Sequence, residues 1–303
     1  MFVSESRGSN DINASEVDRA TALFSERFGA EALVHPLSTR GRILEAEFLG
    51  NIFHTCCAYD YFDDFAQILE EVSGSPYAVW DAIRVSSDTP GFVIKLAKLD
   101  FLNEIRSAMR RVEGNVKRRM EEFERIGEDE SSLFKELCFC VLTANFTAEG
   151  GLRIQQKLGD GFTSLSKHEL AKELRALGHR FPNSRASYIA ENRALCGSLI
   201  KILKNFKDGR KAREWLVCNV KGFGYKEASH FLRNVGFKDV AIIDRHILKF
   251  LKSKDLIGFS KSLAKGKYLE LERLLFAIAN KLNLTLAELD LYLWYLMTGK
   301  VLK

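Results

Sequence analysis

The sequence predicts an all-α protein: two helical subdomains with a cleft between them, preceded by an N-terminal extension of mostly helical fold. Three observations carry this. Of four prolines among 303 residues, Pro36, Pro76 and Pro90 fall in the first hundred and none follows Pro182. Packed helices need such a stretch, because proline removes a backbone donor. Capping boxes at Ser166–Glu169 and Thr285–Glu288 each precede an apolar run that closes on a glycine, Gly178 and Gly299. No strand-like alternation is evident after residue 101.

Along the first hundred residues, "SEVDRATALFSERFGAEAL" and "YFDDFAQILEEVSG" have helical periodicity, while "SSDTPGFVIKLAKLD" fits a short strand or a connector. His54 beside Cys56 and Cys57 is a conceivable metal set, but adjacent cysteines in an amphipathic stretch are read as core, so no metal and no cofactor are expected. The six cysteines form no CxxC pair, which argues against a zinc ribbon and suits a reducing cytoplasm. No apolar run reaches the roughly 18 residues of a membrane span, and the N-terminus lacks the basic-then-apolar order of a secretory signal.

Charge divides the chain. Residues 1–100 carry 8 Lys/Arg against 16 Asp/Glu, a balance of −8, and residues 101–303 carry 37 against 24, a balance of +13. This places a domain boundary at 100/101. A basic part of this size fits a polyanion such as nucleic acid, and equally a plain soluble surface.

Within the basic part, "SSLFKELCFCVLTANF" is apolar on most sides and predicts a buried helix. Further on, "REWLVCNVKGFGYKEASHFLRNVGF" predicts helix, tight turn, helix. Gly222 and Gly224 permit positive φ and let backbone N–H groups approach a phosphate, aided by the positive end of the second helix. Lys221, Tyr225 and Lys226 strengthen that reading. Lys226 itself opposes the helix dipole. A phosphate contact and an amine nucleophile account for it equally well. Asp244, eighteen residues on in "DVAIIDRHILKFL", decides between them: it caps a helix, and a carboxylate beside a lysine fits attack on a sugar carbon.

These segments resemble the helix-hairpin-helix DNA glycosylase superfamily, and most specifically the type-2, archaeal-type 8-oxoguanine DNA glycosylase/AP lyases. The resemblance rests on "LFKELCFCVLTANFTAEGGLRIQ", "LGHRFPNSRASYI", the hairpin, "AIIDRHIL" and the terminal "LDLYLWYLMTGKVLK", in the family's order over residues 101–303. It implies that Lys226 forms the Schiff base and Asp244 is the catalytic carboxylate. It implies that Phe181 and Trp294 sandwich the extruded base and that Lys303 takes part in lesion recognition. Asn145 would enter the gap left by the flipped nucleotide, while Gly222, Phe223, Gly224 and Tyr225 would hold the DNA backbone. The implied partner is double-stranded DNA containing 8-oxoguanine or abasic sites, in the cytoplasm at the nucleoid.

Two departures stand out. Endonuclease III-like relatives hold an iron–sulfur cluster on four C-terminal cysteines, and no cysteine follows Cys218 here. The family's compact members lack the first hundred residues, whose acidic charge fits intramolecular docking onto the basic surface, a protein partner, or neither. Two rival readings remain at this point: the same chemistry on an oxidised pyrimidine or uracil, or a helix-hairpin-helix module that binds DNA without catalysis. His230, one helical turn beyond Lys226, fits a structural hydrogen bond better than proton transfer, and His246 has no assigned role.

Overall fold

Asn13 starts the first helix by accepting the Ser15 N–H at 3.0 Å, the usual way a short polar side chain satisfies an orphan helix donor. The structure is a computed structural model that describes residues 11–86, 90–258 and 263–303. In chain order the elements are α1 (Ala14–Phe28), β1 (Ala32–Arg40), β2 (Ile43–Gly50), α2 (Ala58–Ser73), β3 (Tyr77–Val85), β4 (Gly91–Lys98), α3 (Leu102–Glu128), α4 (Glu130–Thr143), α5 (Ala148–Leu158), α6 (Gly161–Ser164), α7 (Lys167–Ala176), α8 (Pro182–Asn192), α9 (Leu199–Leu203), α10 (Gly209–Asn219), α11 (Tyr225–Asn234), α12 (Arg245–Ser253), α13 (Lys265–Lys281) and α14 (Leu286–Thr298). The protein is mostly helical. Two compact units divide it: residues 1–107 with 248–284, and residues 108–247 with 285–303.

The first unit holds a four-stranded antiparallel sheet in the order β1-β2-β4-β3. This corrects the expectation of a mostly helical extension. The two predicted helices are present as α1 and α2, and "GFVIKLAK" is the strand β4, while Ser87–Thr89 of the quoted connector lie outside the described residues. The strands were hard to read because few alternate cleanly. Strand β3 slips register between Val79 and Asp81 and β1 between Pro36 and Ser38, and a one-residue slip exchanges the faces.

Leu44, Ala46 and Phe48 of β2 and Phe92, Ile94 and Leu96 of β4 share a buried core with α1 and α2. Phe48 meets Phe24, Phe62 and Phe65 at 4.9–5.7 Å between ring centroids, within the favourable range for edge contacts. Helix α13 packs against β3. Lys95 of β4 reaches Glu270 at 3.0 Å, Asp81 of β3 meets Arg273 at 3.0 Å, and Glu70 of α2 pairs with Lys281. Arg42, buried, donates to Asp100 at 2.7 Å and to the Lys254 carbonyl at 3.1 Å. Cys56 and Cys57 are exposed, their sulfurs 3.5 Å apart, so they are not the core thiols their setting suggested.

The second unit is wrapped around α4, whose residues Leu133, Phe134 and Glu136–Thr143 are all buried. Cys138 and Cys140 lie in this core, where burial pushes both thiols well up. Helices α10 and α11 pack together as a hairpin, and α11 also contacts α4.

Arg42→Met is expected to lower the stability of the first unit by about 2 kcal/mol, the range for losing hydrogen bonds to a charged group. Urea unfolding measures it; an unchanged midpoint would mean that the Arg42 bonds contribute nothing.

Candidate active site

The hairpin turn is built by a single left-handed residue and one clamp. Gly222 has φ +87°, and a Cβ there would approach the Tyr188 ring to 2.6 Å, so both backbone and space demand glycine. Gly224 lies at φ −107°, in the extended region, which corrects the expectation of positive φ there; its N–H donates to Glu227 Oε2 at 3.2 Å. Asn192 of α8 clamps the turn, accepting the Lys221 N–H at 2.8 Å and donating to the Lys221 carbonyl at 3.0 Å. Phe223 is buried against Phe231, and its N–H turns back to the Val220 carbonyl at 3.3 Å instead of facing outward as expected. The Tyr225 hydroxyl pairs with Glu214. The N–H groups of Gly222 and Lys226 make no hydrogen bond among the described residues, as is usual for donors at a helix start.

Lys226 is the second residue of α11, half-buried, and its ammonium has no hydrogen bond or ion pair among the described residues. Asp244 lies half-buried at the start of α12. Its Oδ1 accepts the N–H groups of His246 at 2.8 Å and Ile247 at 2.9 Å. That spends one oxygen on capping and leaves Oδ2 unengaged among the described residues. Lys226 and Asp244 form no ion pair with each other, yet both act on one neighbour: Asp290 of α14 is pushed up to about 6 mainly by burial, lowered by Arg233, raised by Asp244 and lowered by Lys226.

A chain of buried polar contacts runs behind them. Asp290 accepts from Arg233 at 2.6 Å, Arg233 Nε donates to Asn234 Oδ1 at 2.9 Å, and Asn234 donates to Glu136 Oε1 at 2.6 Å. Glu136 Oε2 in turn receives Lys303 Nζ at 2.5 Å and Gln155 Nε2 at 3.2 Å, and Lys303 also donates to Gln155 Oε1 at 2.8 Å. The ammonium of Lys303 therefore has two internal acceptors, 4.5 Å from the Phe139 ring centroid.

The expected aromatic residues sit in different settings. Phe181 is 41% exposed, just before α8. Its N–H donates to His179 Nδ1 at 3.1 Å while His179 Nε2 bonds the Leu142 carbonyl at 3.0 Å. Burial lowers the pKa of His179, the neutral form that this one-donor, one-acceptor arrangement needs. Trp294 is half-buried on α14, its ring 4.6 Å from that of His246, and its buried Nε1 has no partner among the described residues. Asn145 is exposed at φ +60° between α4 and α5, with no hydrogen bond from its side chain among the described residues. His54 is exposed, and among the described residues no group of three or more His, Cys, Asp or Glu side chains is arranged to hold a metal ion.

The second unit thus brings Lys226, Asp244, Phe181, Trp294, Lys303 and Asn145 into one body. Comparison with known proteins gives the family. The family model for 8-oxoguanine DNA glycosylase matches residues 116–284. A protein of Korarchaeum cryptofilum named 8-oxoguanine DNA glycosylase/AP lyase is 55% identical over 206 residues, 67% of this chain and 98% of that protein. This chain belongs to the 8-oxoguanine DNA glycosylase family. A relative from Methanocaldococcus jannaschii with the same name is 54% identical over 62% of this chain and 91% of its own length. Among solved structures, the M. jannaschii 8-oxoguanine glycosylase/lyase bound to a 15mer DNA containing 8-oxoguanine aligns with TM-score 0.65 and 50% identity, covering 67% of this chain and 99% of that one. The Thermotoga maritima 8-oxoguanine DNA glycosylase aligns with TM-score 0.64 and 47% identity over the same share of this chain.

Sequence reasoning missed His179, Asn192, Glu136, Arg233 and Asp290. For Glu136 and Asp290 a signal existed: each is a carboxylate inside an apolar run, "FKELCFCVL" and "LAELDLYLW", where an unpaired charge is too costly to persist.

Asp290→Asn is expected to destabilise the second unit by about 3–5 kcal/mol, because Arg233 keeps its charge in the interior without a counter-charge. Thermal or urea unfolding reads this directly, and a loss under 1 kcal/mol would show that Arg233 finds water instead.

Proposed function

We propose that this glycosylase-family chain excises 8-oxoguanine from DNA and cleaves the resulting abasic strand through a Schiff base on Lys226. The reading is carried by one observation: an unpartnered lysine at a helix start and a carboxylate with one oxygen unengaged lie in the same unit and act on the same buried neighbour. Its relatives' names and the DNA-bound M. jannaschii structure support the substrate.

In this mechanism the hairpin N–H groups and basic surface hold the DNA backbone, and the base leaves the stack for a site between Phe181 and Trp294. Extrusion exposes the glycosidic bond, and aromatic faces compensate lost stacking. The neutral Lys226 amine bonds to C1′, and the glycosidic electron pair departs with the base. Asp244 Oδ2 stabilises the positive charge that develops on the sugar. Ring opening gives the imine, loss of a C2′ proton follows, and β-elimination expels the 3′ phosphate. Asn145 fills the vacated stack. Lys303, with its ammonium engaged by Glu136 and Gln155, takes part in lesion recognition. The catalytic domain is residues 101–303. Residues 1–100 form the added acidic part, docked intramolecularly through the pairs Asp81–Arg273 and Glu70–Lys281. The enzyme is assigned to the cytoplasm, at the nucleoid.

Borohydride should trap wild-type protein covalently on duplex DNA containing 8-oxoguanine, and Lys226→Gln should abolish the adduct. Efficient trapping of Lys226→Gln would remove Lys226 from its role. Asp244→Asn should slow base release by about a hundredfold or more in single-turnover assays while DNA affinity holds; an unchanged rate would refute the carboxylate's part. A panel of duplexes carrying oxidised pyrimidines or uracil tests the choice of base.

A further inference from the structure

Cys56 and Cys57 are consecutive residues at the entry to α2, and both are exposed. They lie in the first unit and outside residues 116–284, over which the family model matches. Their sulfurs are 3.5 Å apart, so one thiol donates a weak hydrogen bond to the other. Cys57 is the N-cap of α2, yet its side chain makes no capping bond. Among the described residues no third His, Cys, Asp or Glu joins the pair to hold a metal ion. The His54 ring packs instead against Phe53, 5.3 Å between centroids. What the chain presents to solvent here is a dithiol.

We infer that Cys56 and Cys57 form a reversible disulfide with each other, Cys56 attacking first and hydrogen peroxide serving as the oxidant. The hydrogen bond within the pair sets the order. It raises the Cys57 pKa above the ordinary thiol value, and negative charge on Cys56 and Asp60 adds to the effect. Cys57 therefore keeps its proton, and Cys56 reacts as the thiolate, the nucleophilic form. The Cys56 thiolate bonds to one peroxide oxygen, the O–O bond breaks, and hydroxide leaves to take up the proton that Cys56 lost. The Cys57 sulfur then attacks the resulting sulfenic acid, its S–O bond breaks, and hydroxide departs with the Cys57 proton as water. Two thiols and one peroxide give one disulfide and two waters. The bond is reversible because it is strained. No peptide bond among the described residues is cis, so neighbouring Cα atoms are about 3.8 Å apart. An unstrained disulfide spans about 4.4–6.8 Å. Strained, exposed disulfides are readily reduced, and a monothiol such as glutathione reopens this one.

The test treats the full chain with hydrogen peroxide, alkylates it, and digests it without reduction for mass spectrometry. The peptide carrying Cys56 and Cys57 should lose the mass of two hydrogens and take no alkyl group, and reduced glutathione should restore both thiols. Cys196 and Cys218, also exposed, are the internal comparison. Alkylation of both Cys56 and Cys57, sulfinic acid at either, or a disulfide from either to Cys196, Cys218 or another chain overturns the inference. Cys57→Ser should leave a sulfenic acid at Cys56 that dimedone traps, and Cys56→Ser should leave Cys57 largely unlabelled. The reverse pattern overturns the order of attack. Both positions are exposed, so neither variant should shift the urea midpoint. Base excision plays no part in these readouts, so their failure leaves the reading of Lys226 and Asp244 as it stands.

Discussion

The second unit depends on the rule that a charge taken out of water must be paired. Arg233 is fully buried on α11, and its guanidinium is satisfied by Asp290 on one side and Asn234 on the other. From there the contacts continue through Glu136 to Lys303 and Gln155. Five pieces of chain, α14, α11, α4, α5 and the terminal residues, are registered by this one polar path. Such a network is worth little as net stability against an apolar replacement, but every member left alone becomes costly. It therefore fixes the position of α11, which carries Lys226, and the position of the terminus, which carries Lys303.

Against that satisfied background, the groups left unsatisfied stand out. Lys226, one oxygen of Asp244, both nitrogens of His230, Nε1 of Trp294 and the Asn145 amide have no partner among the described residues. They all belong to the second unit. A protein that satisfies Glu136 with three donors has the means to satisfy these as well.

The relatives cover about two-thirds of this chain, and the remaining part is a sheet with two helices whose core is its own. It is not held by a linker alone. Residues 248–284 pack with it in one unit, and pairs between carboxylates of the first 104 residues and basic residues 254, 273 and 281 join them. Much of the acidic charge conspicuous in the composition has a local purpose there. Exposed pairs of this kind contribute little each; the buried Arg42 and the apolar contact of α13 with β3 carry more of the attachment.

The sequence by itself determined the helices of the second unit, because caps, glycine stops and apolar spacing are local and each is visible within about a dozen residues. It also singled out Lys226 and Asp244 as candidates through the pattern around them, and Asn145 through the family resemblance. Of the strands in the first unit only β4 was hinted at; in β1 and β3, bulges at Pro36/Ser38 and Val79/Asp81 break the period of two on which strand reading depends. Only the tertiary structure decided that Gly222 alone is left-handed in the turn, that Glu136 holds Lys303 across 167 residues of sequence, and that His230 has no partner among the described residues. The physical reason is range. Propensity and capping are set by near neighbours, whereas the pairing of a buried charge is set by whatever the folded chain brings beside it.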